Sequence, residues 1–215
     1  MNPLSAVITA DIVRSTAMPA GHLRALSDRL RLIAESNTNG MHYFYRGDSF
    51  QLYLEDPAQA YGMALILRTE TRLSEAGTDE TPADLRLSIG VGRSEDRISE
   101  INTARGEAFL ISGRGLDELG KSERRMKMAT GNSLANTGLA AISLFTDHLF
   151  EKLTRKQAQV LQHMLRHRTQ TETAEILGKS QPTVNRHLRS LGWQDLEQLL
   201  GIYDDIMNQL QQQHG

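Results

Sequence analysis

The chain has 215 residues, no cysteine, 39% hydrophobic residues and a net charge of −2 at pH 7. These values fit one or two folded domains and exclude disulfides, thiolate metal sites and a polyanion-binding surface spread over the whole chain. The N-terminus lacks a basic segment, and no run of about 18 apolar residues occurs, so we expect a cytoplasmic protein with neither signal peptide nor membrane helix.

The first 150 residues alternate between predicted strands and helices. A β-branched run at residues 6–13 predicts a buried strand, and leucines at helical spacing over 23–34 predict a helix. Two aromatic-rich runs, 41–45 and 50–54, flank a Gly-Asp turn and predict a hairpin. The remaining predicted elements are helices at 57–67, 106–119 and 132–151 and strands at 85–92 and 125–129.

The resulting order, β-α-β-β-α-β-α-β-α, predicts an α+β fold. It is typical of a ferredoxin-like sheet with helices on one face. Strand patterns are missing after residue 153, which predicts an all-α domain there. We place the boundary within 146–152, giving domains at 1–150 and 151–215.

Three short helices of a helix-turn-helix are predicted between about residues 153 and 193. Thr154 is suited to cap the first helix, Gly178 to end the second at 170–177, and Ser180 to cap the third. A closely packed helix pair of this kind can lay its second member in the major groove of double-stranded DNA. The side chains of the second helix expected to face inward are Thr171, Ala174, Ile176 and Leu177.

The charge of this segment favours DNA binding over the alternative, a helical bundle that contacts protein. Residues 152–193 hold eight basic and two acidic residues, a net +6 within a chain of −2, and such a basic module fits phosphate contact. Gln181, Thr183, Asn185 and Arg186 are expected to face outward, and Asn, Gln and Arg are the types that read base edges. Lys179 and Arg189 are expected to meet phosphates. The residues predicted to bind DNA are Lys179, Ser180, Gln181, Thr183, Asn185, Arg186 and Arg189.

Two features around this module have alternative interpretations. An apolar stripe over 196–210 predicts either packing onto the same chain or a dimerisation helix, and the glutamine-rich end at 209–213 is expected to fray. His163 and His167 have a spacing that zinc ligands use, but without a third ligand a polar helix face is the simpler interpretation.

Two aspartates stand out in the first domain. Asp11 ends the first predicted strand, and Asp48 occupies the hairpin turn. Each alone is typical of a local cap, but in a split sheet the two positions can lie side by side. Two carboxylates there could hold a divalent ion against the phosphates of a nucleotide, because Mg²⁺ favours carboxylate and phosphate oxygens.

Short motifs in a fixed order resemble class III nucleotidyl cyclase domains. The matching segments are Thr-Ala-Asp-Ile-Val-Arg-Ser-Thr at 9–16, Arg-Gly-Asp-Ser-Phe at 46–50, Leu-Ser-Ile-Gly-Val-Gly at 87–92 and the segment 106–114. The pairing of such a domain with a terminal helix-turn-helix is more similar still to the SatD-like family of small bacterial proteins.

This resemblance implies a site and an assembly. It implies Mg²⁺ or Mn²⁺ held by Asp11, Asp48 and the backbone of Ile12, and a nucleotide ligand. Cyclase domains pair with their sites at the subunit interface, so it also implies a homodimer. The residues expected to contact phosphate are Arg14, Ser15, Arg46, Ser49, Arg93 and Arg114, the last by the resemblance itself.

One departure from the cyclase pattern separates the functional hypotheses. Leu110 stands where cyclases keep an asparagine that orients the ribose, and losing one such donor costs about 100-fold or more in rate. The first hypothesis is therefore a DNA-binding transcriptional regulator whose cyclase-like domain binds a nucleotide and metal or mediates dimerisation. The second is a metal-dependent nucleotidyl cyclase or transferase with a regulatory helix-turn-helix, and a third, weaker one is a pure interaction protein.

Overall fold

The computed structural model describes residues 4–37, 41–45, 47–78, 81–93, 101 and 104–214. Within these residues, no helix has the length and apolar character needed to cross a membrane. The predicted succession of strands and helices is confirmed. The elements are β1 (Leu4–Ile12), α1 (Ala20–Asn37), β2 (His42–Tyr45), β3 (Ser49–Leu54), α2 (Gln59–Leu73), β4 (Leu85–Arg93), α3 (Glu107–Leu119), β5 (Met126–Thr130), α4 (Ser133–Lys152), α5 (Arg155–Met164), α6 (Gln170–Leu177), α7 (Gln181–Leu191) and α8 (Trp193–His214).

The strands form one sheet in the order β2-β3-β1-β4-β5. The central strand, β1, is antiparallel to β3 and β4, whereas β5 runs parallel to β4. The register pairs Asp11 with Ser49 of β3 on one side and with Arg86 of β4 on the other. The end of β1 therefore lies beside both the β2–β3 turn and the start of β4.

Helices cover both faces of this sheet, which corrects the expectation of helices on one face. Side chains alternate along a strand, so Ala6, Ile8 and Ala10 share one face of β1, where they join the core formed with α1 and α2. Thr9 points to the other face, where its hydroxyl hydrogen-bonds that of Ser112 on α3 over 2.9 Å. Periodicity predicts α3 correctly but does not show on which face it packs.

Gly90 of β4 lies against the backbone of α3. A Cβ atom there would lie 2.3 Å from the carbonyl oxygen of Ala108 and 2.5 Å from the amide nitrogen of Ser112. Because backbone has to shift to admit a methyl group, we expect Gly90→Ala to lower the free energy of unfolding by about 1–3 kcal/mol in urea denaturation.

A glycine of α3 provides the matched control for this substitution. A Cβ atom at Gly113 would meet nothing within 4 Å. Gly113→Ala should therefore gain about 0.5–1 kcal/mol from the lower backbone entropy of alanine in the unfolded chain. Equal losses in both variants would contradict the close approach of α3 to β4.

The outer edge of the sheet, β5, is covered by α4. Asp147 Oδ2 accepts hydrogen bonds from the backbone nitrogens of Arg125 at 3.0 Å and Met126 at 3.3 Å. At the far end of β5, Asn136 accepts from the nitrogen of Thr130 at 2.8 Å and donates to its oxygen at 3.0 Å. These side chains satisfy backbone groups that an open edge would present to another strand.

A buried arginine joins three elements near this edge. Arg68 of α2 is 1% exposed; its Nε and Nη2 donate to Asp84 at 3.0 and 2.9 Å, and its Nη1 donates to Asp147 at 2.8 Å. Its guanidinium also lies 4.3 Å from the ring centroid of Phe150. One turn later, Arg72 donates to Asp84 at 3.2 Å and to the carbonyl oxygen of Phe150 at 2.7 Å. The network ties α2 to the start of β4 and the end of α4.

The C-terminal helices begin and end near the predicted positions. Thr154 accepts from the backbone nitrogen of Gln157 in a capping box that starts α5. Gly178 ends α6 with a φ of 60°, a conformation that glycine adopts at little cost. Ser180 holds the N-cap position of α7, without a side-chain bond to the helix backbone.

The buried face of α6 differs from the predicted one. Thr173 and Ala174 are buried, whereas Thr171 and Ile176 are exposed. In a helix of 3.6 residues per turn, positions 173, 174 and 177 share one face, and 171 and 176 lie outside it. The sequence pattern alone did not distinguish these two faces, because the helix is only about two turns long.

The helix-turn-helix and the α/β part share one hydrophobic core. α5 packs on α2, and the fully buried Tyr203 of α8 lies 5.4 Å from the ring centroid of Tyr61 and donates to the carbonyl oxygen of Pro57 at 2.9 Å. Of the two interpretations of the C-terminal stripe, packing onto the same chain is the one observed. α8 continues to His214, so the glutamine-rich residues 209–213 belong to this helix.

Candidate functional site

The loop after β1 and the β2–β3 turn form a cleft that brings Asp11 and Asp48 together. The backbone nitrogen of Ile12 donates to the carbonyl oxygen of Asp48 at 2.8 Å, which holds the turn against the end of β1. Both aspartates line a cavity of about 500 Å³, together with Ile12, Ser15 and Arg86. We call this cavity the carboxylate cleft.

The two carboxylates of the cleft have different partners. Asp11 Oδ1 accepts from Nε of Arg86 at 3.0 Å, and Asp48 accepts from the hydroxyls of Ser15 at 2.7 Å and Ser49 at 3.3 Å. Burial raises the pKa of Asp11; Arg86 opposes this rise, and the negative charge of Asp48 adds to it. Arg125, which also lines the cleft, opposes the rise as well. The two carboxylates repel each other across the cleft, and a cation shared between them would relieve this repulsion.

The donor set fits one divalent cation that is shared with a phosphate ligand. Mg²⁺ commonly binds one or two carboxylates and completes its shell with waters and phosphate oxygens. In the part of the chain that the structure describes, no cluster of three or more His, Cys, Asp or Glu is placed to hold a metal. The His163–His167 pair thus gains no third ligand there, and a cation in the carboxylate cleft depends on oxygens brought by the ligand.

The contact between the two aspartates can be tested by titration. We expect Asp48→Asn to lower the pKa of Asp11, because the substitution removes a negative charge that raises it. Carboxyl ¹³C chemical shifts followed against pH give this value directly. Asp28→Asn changes an exposed carboxyl of α1 and should leave the pKa of Asp11 unchanged; the same pKa in wild type and Asp48→Asn would show that the two groups do not interact.

Only some of the residues predicted to contact phosphate lie in or beside the carboxylate cleft. Arg14 and Ser15 line the carboxylate cleft, and Ser49 bonds to Asp48. Arg114 is exposed on α3 and does not line the cleft. Arg93 pairs with Leu4 at the opposite end of β1, far from Asp11 along the strand. Arg46 lies outside the described residues.

Two arginines of the cleft were missed by the sequence analysis. Arg86 pairs with Asp11 in the β1–β4 register, and Arg125 precedes β5 and lines the same cavity. Arg86 could have been noticed, because it is a basic residue near the start of a predicted strand. Its pairing with Asp11 could not be predicted without the antiparallel register of β1 and β4, which periodicity does not give.

The second candidate surface is the solvent-facing side of α7. Gln181, Asn185, Arg186 and Arg189 are exposed there, whereas Val184, Leu188 and Leu191 are buried. The remaining predicted DNA contacts lie around the start of α7: the Ser180 hydroxyl hydrogen-bonds that of Thr183 at 2.9 Å, Asn185 donates to Gln170 at 3.2 Å, and Lys179 is half-buried.

Some basic residues of the helix-turn-helix contact α2, and others form a cluster at α7. Arg155 donates to the carbonyl oxygen of Leu73 at 2.8 Å, and Arg166 lies 3.7 Å from the buried Glu70, so both serve the contact with α2. Both residues are exposed, but their guanidinium groups already have partners on α2, so part of the net +6 is engaged in contacts within the chain. A basic cluster remains at α7, where the pKa of His187 is lowered by burial and then by the charges of Arg186, Lys179 and Lys156.

Comparisons with known proteins bear on both parts of the chain. Residues 160–196 match the family model described as bacterial regulatory protein, arsR family, so this segment is similar to the helix-turn-helix of that family. No curated protein matches the chain.

Solved structures resemble the chain in fold. The active GGEEF domain of a diguanylate cyclase from Vibrio cholerae has 13% identity and a TM-score of 0.44, with 61% of this chain and 85% of that chain covered. The adenylyl cyclase CyaB from P. aeruginosa has 16% identity and a TM-score of 0.44, with 60% and 78% covered. At these identities and scores the likeness carries no functional argument.

Proposed function

We propose that this protein is a DNA-binding transcriptional regulator that places α7 in the major groove. The observation that carries the proposal is the row of exposed Gln181, Asn185 and Arg186 on a helix that begins directly after a tight Gly178 turn. Amide and guanidinium side chains pair with base edges in two-point contacts. The arsR-type match over residues 160–196 supports the same assignment.

The other predicted contacts then meet the phosphate backbone. Lys179 and Arg189 supply charge on either side of the base-reading residues. Ser180 and Thr183 lie at the N-terminus of α7, where free backbone amides and the helix dipole favour an anion. Phosphate contacts of this kind set the position of α7 on the duplex without reading sequence.

We also propose that the regulator acts as a homodimer on a palindromic operator. One helix-turn-helix buries a small interface on DNA, and two heads on half-sites about one helical turn apart add their contacts. A native mass spectrum with DNA should give a protein component of twice the 24.0 kDa chain mass. One chain per operator duplex would contradict the dimer.

The α/β part is proposed to bind a nucleotide with Mg²⁺ or Mn²⁺. Asp11, Asp48 and the carbonyl group of Ile12 would hold the ion, which would neutralise phosphate charge. Arg14 and Ser15 would contact the phosphates. Because the sensing part and the DNA-reading part share one core, a ligand could shift the population of dimer geometries that fit the operator. The resemblance of the motifs to the SatD-like family supports this pairing of a ligand-binding domain with a DNA-binding one.

A fragment selection tests the main proposal. The full chain is incubated at low salt with fragments of its own genome, and the retained DNA is sequenced. We expect a limited set of enriched fragments whose affinity falls steeply as salt rises, because bound phosphates release counterions. Absence of binding to every fragment at low salt would reject the proposal.

A second candidate function, nucleotidyl transfer, is favoured by the shared cleft of Asp11 and Asp48. Leu110 opposes it, since a leucine that is 52% exposed on α3 offers no donor where the resemblance expects an asparagine. Incubation with Mg²⁺ or Mn²⁺ and each nucleoside triphosphate, followed by chromatography, separates the two functions. A product that disappears in Asp11→Ala but persists in Asp28→Ala would establish an enzyme.

A further inference from the structure

A larger cavity of about 840 Å³ lies beside the carboxylate cleft. The two cavities share Val13, Arg14, Glu123 and Arg125 in their walls, but the larger one extends to the end of α2, the segment before β4 and the end of α4. We call it the arginine cavity. Its size falls within the range of pockets that hold small organic ligands.

The walls of this cavity combine cations with an apolar surface. Five arginines line it against four acidic residues, and apolar groups of Met18, Pro19 and Pro82 form another part of the wall. Arg68 and its partners Asp84 and Asp147 are buried and bonded to one another. The charges left at the rim are therefore mostly arginines, among them the exposed Arg14 and Arg124.

Among the arginines of this cavity, Arg72 is buried but incompletely hydrogen-bonded. Its side chain is 8% exposed, yet its Nε–H has no hydrogen-bond partner among the described residues. The carboxylate that it contacts, Asp84, already receives two bonds from Arg68. Burial lowers the pKa of Arg72, and the positive charges of Arg68 and Arg125 add to this effect although Asp84 opposes it. An anion bound beside Arg72 would offer its Nε–H the hydrogen-bond acceptor that the described residues do not supply.

We propose that the arginine cavity binds an organic phosphate of about mononucleotide size without a metal ion. The phosphate would lie among Arg72, Arg124 and Arg125, since guanidinium groups bind phosphate oxygens through paired N–H donors. The organic part would pack on Met18, Pro19 and Pro82. The site adjoins the carboxylate cleft and shares Arg125 with it, but neither Asp11 nor Asp48 lines it.

The position of Arg72 links this ligand to the DNA-binding part. Arg72 donates to the carbonyl oxygen of Phe150 in the last turn of α4. The adjoining end of α2 holds Arg155 of α5 through the carbonyl oxygens of Leu73 and Ser74, at 2.8 and 3.4 Å. A ligand that hydrogen-bonds to Arg72 would therefore change the hydrogen bonds that hold α4 and α5 against the end of α2. This consequence rests on the proposed regulatory function, whereas the binding itself does not.

Isothermal titration of the full chain in EDTA tests the site. The probes are inorganic pyrophosphate and the 5′-monophosphates of adenosine and guanosine. We expect at least one probe to bind, with affinity lowered tenfold or more in Arg124→Ala, whose exposed side chain is not needed for folding, and in Arg72→Gln. Asp48→Asn, in the carboxylate cleft, should bind the probe as the wild type does.

Two results would overturn the assignment. One is the absence of binding by all three probes at millimolar concentration. The other is binding that Asp48→Asn removes and Arg124→Ala does not, because the ligand would then lie in the carboxylate cleft. DNA binding in the absence of probe is measured separately, so loss of the regulatory function and loss of the ligand site are distinguishable.

The regulatory consequence has its own measurement. A saturating probe should change the Kd for a selected DNA fragment at least threefold in the wild type and leave Arg124→Ala unchanged. A probe that binds wild type but leaves its DNA affinity unaltered would refute the link through Arg72.

Discussion

Arg186→Ala is expected to weaken binding to a selected DNA fragment by about tenfold to a hundredfold, or roughly 1–3 kcal/mol. Arg186 is exposed in the middle of α7, and its charge acts on His187 together with those of Lys179 and Lys156. A guanidinium in this position can bond to both O6 and N7 of a guanine. Fluorescence anisotropy with the labelled fragment measures the change.

Two further variants help to interpret the effect of Arg186→Ala. Arg24→Ala removes one positive charge from an exposed position of α1 and should leave the affinity nearly unchanged. Arg189→Ala should weaken binding about equally for all sequences and reduce the salt slope by about one. Equal losses in Arg186→Ala and Arg24→Ala would mean that only the overall charge matters and that α7 does not read DNA.

Arg68→Met is expected to lower the free energy of unfolding by about 3–5 kcal/mol at neutral pH. Methionine fills a similar volume, but it leaves Asp84 and Asp147 buried without the cation that both contact. Removing one member of a buried ion network costs more than the network contributes as a whole, because uncompensated charges stay behind. Urea denaturation followed by circular dichroism measures the loss.

The pH dependence of this loss follows from Asp84. Burial alone would raise the pKa of Asp84, but Arg68, with help from Arg72, reverses this effect and holds it below the ordinary value. The stability it contributes is present above the ordinary carboxyl pKa and is lost as pH falls through the lowered value in the folded chain. The gap between wild type and Arg68→Met should therefore be largest near pH 7 and narrow in acid.

A surface ion pair serves as the control for the network. Lys127 pairs with Glu118 at positions that are 36% and 63% exposed, and exposed pairs contribute about 0–1 kcal/mol. Lys127→Met should cost no more than that at any pH. A loss in Arg68→Met as small as this, or one that is the same at pH 4 and pH 7, would contradict a charged and compensated network.

Elements that follow from local chemistry could be predicted from the sequence. Strand β1 follows from its β-branched run, and the boundaries of α5 to α7 follow from Thr154, Gly178 and Ser180, because caps and turns act within a few residues. The proximity of Asp11 and Asp48 could be predicted from the order of the motifs, but not from either residue alone.

Features that depend on register or burial could not be predicted. The pairing of Arg86 with Asp11 requires the offset between β1 and β4, which two isolated strand patterns do not contain. α2 buries both Arg68 and Glu70, and the burial of Arg68 depends on two aspartates 16 and 79 positions away. Arg155 and Arg166 contribute to the net +6 of residues 152–193, but their contacts with α2 could not be predicted, because a charge count does not show which groups a side chain contacts.

The central claim is that α7 lies in the major groove of a specific DNA sequence. Dimethyl sulfate footprinting of a selected fragment tests it directly, because the reagent methylates guanine N7, which faces that groove. The account predicts protected guanines in two half-sites about one helical turn apart, with protection lost in Arg186→Ala and kept in Arg24→Ala. A bound fragment whose guanine N7 atoms stay fully reactive would contradict it.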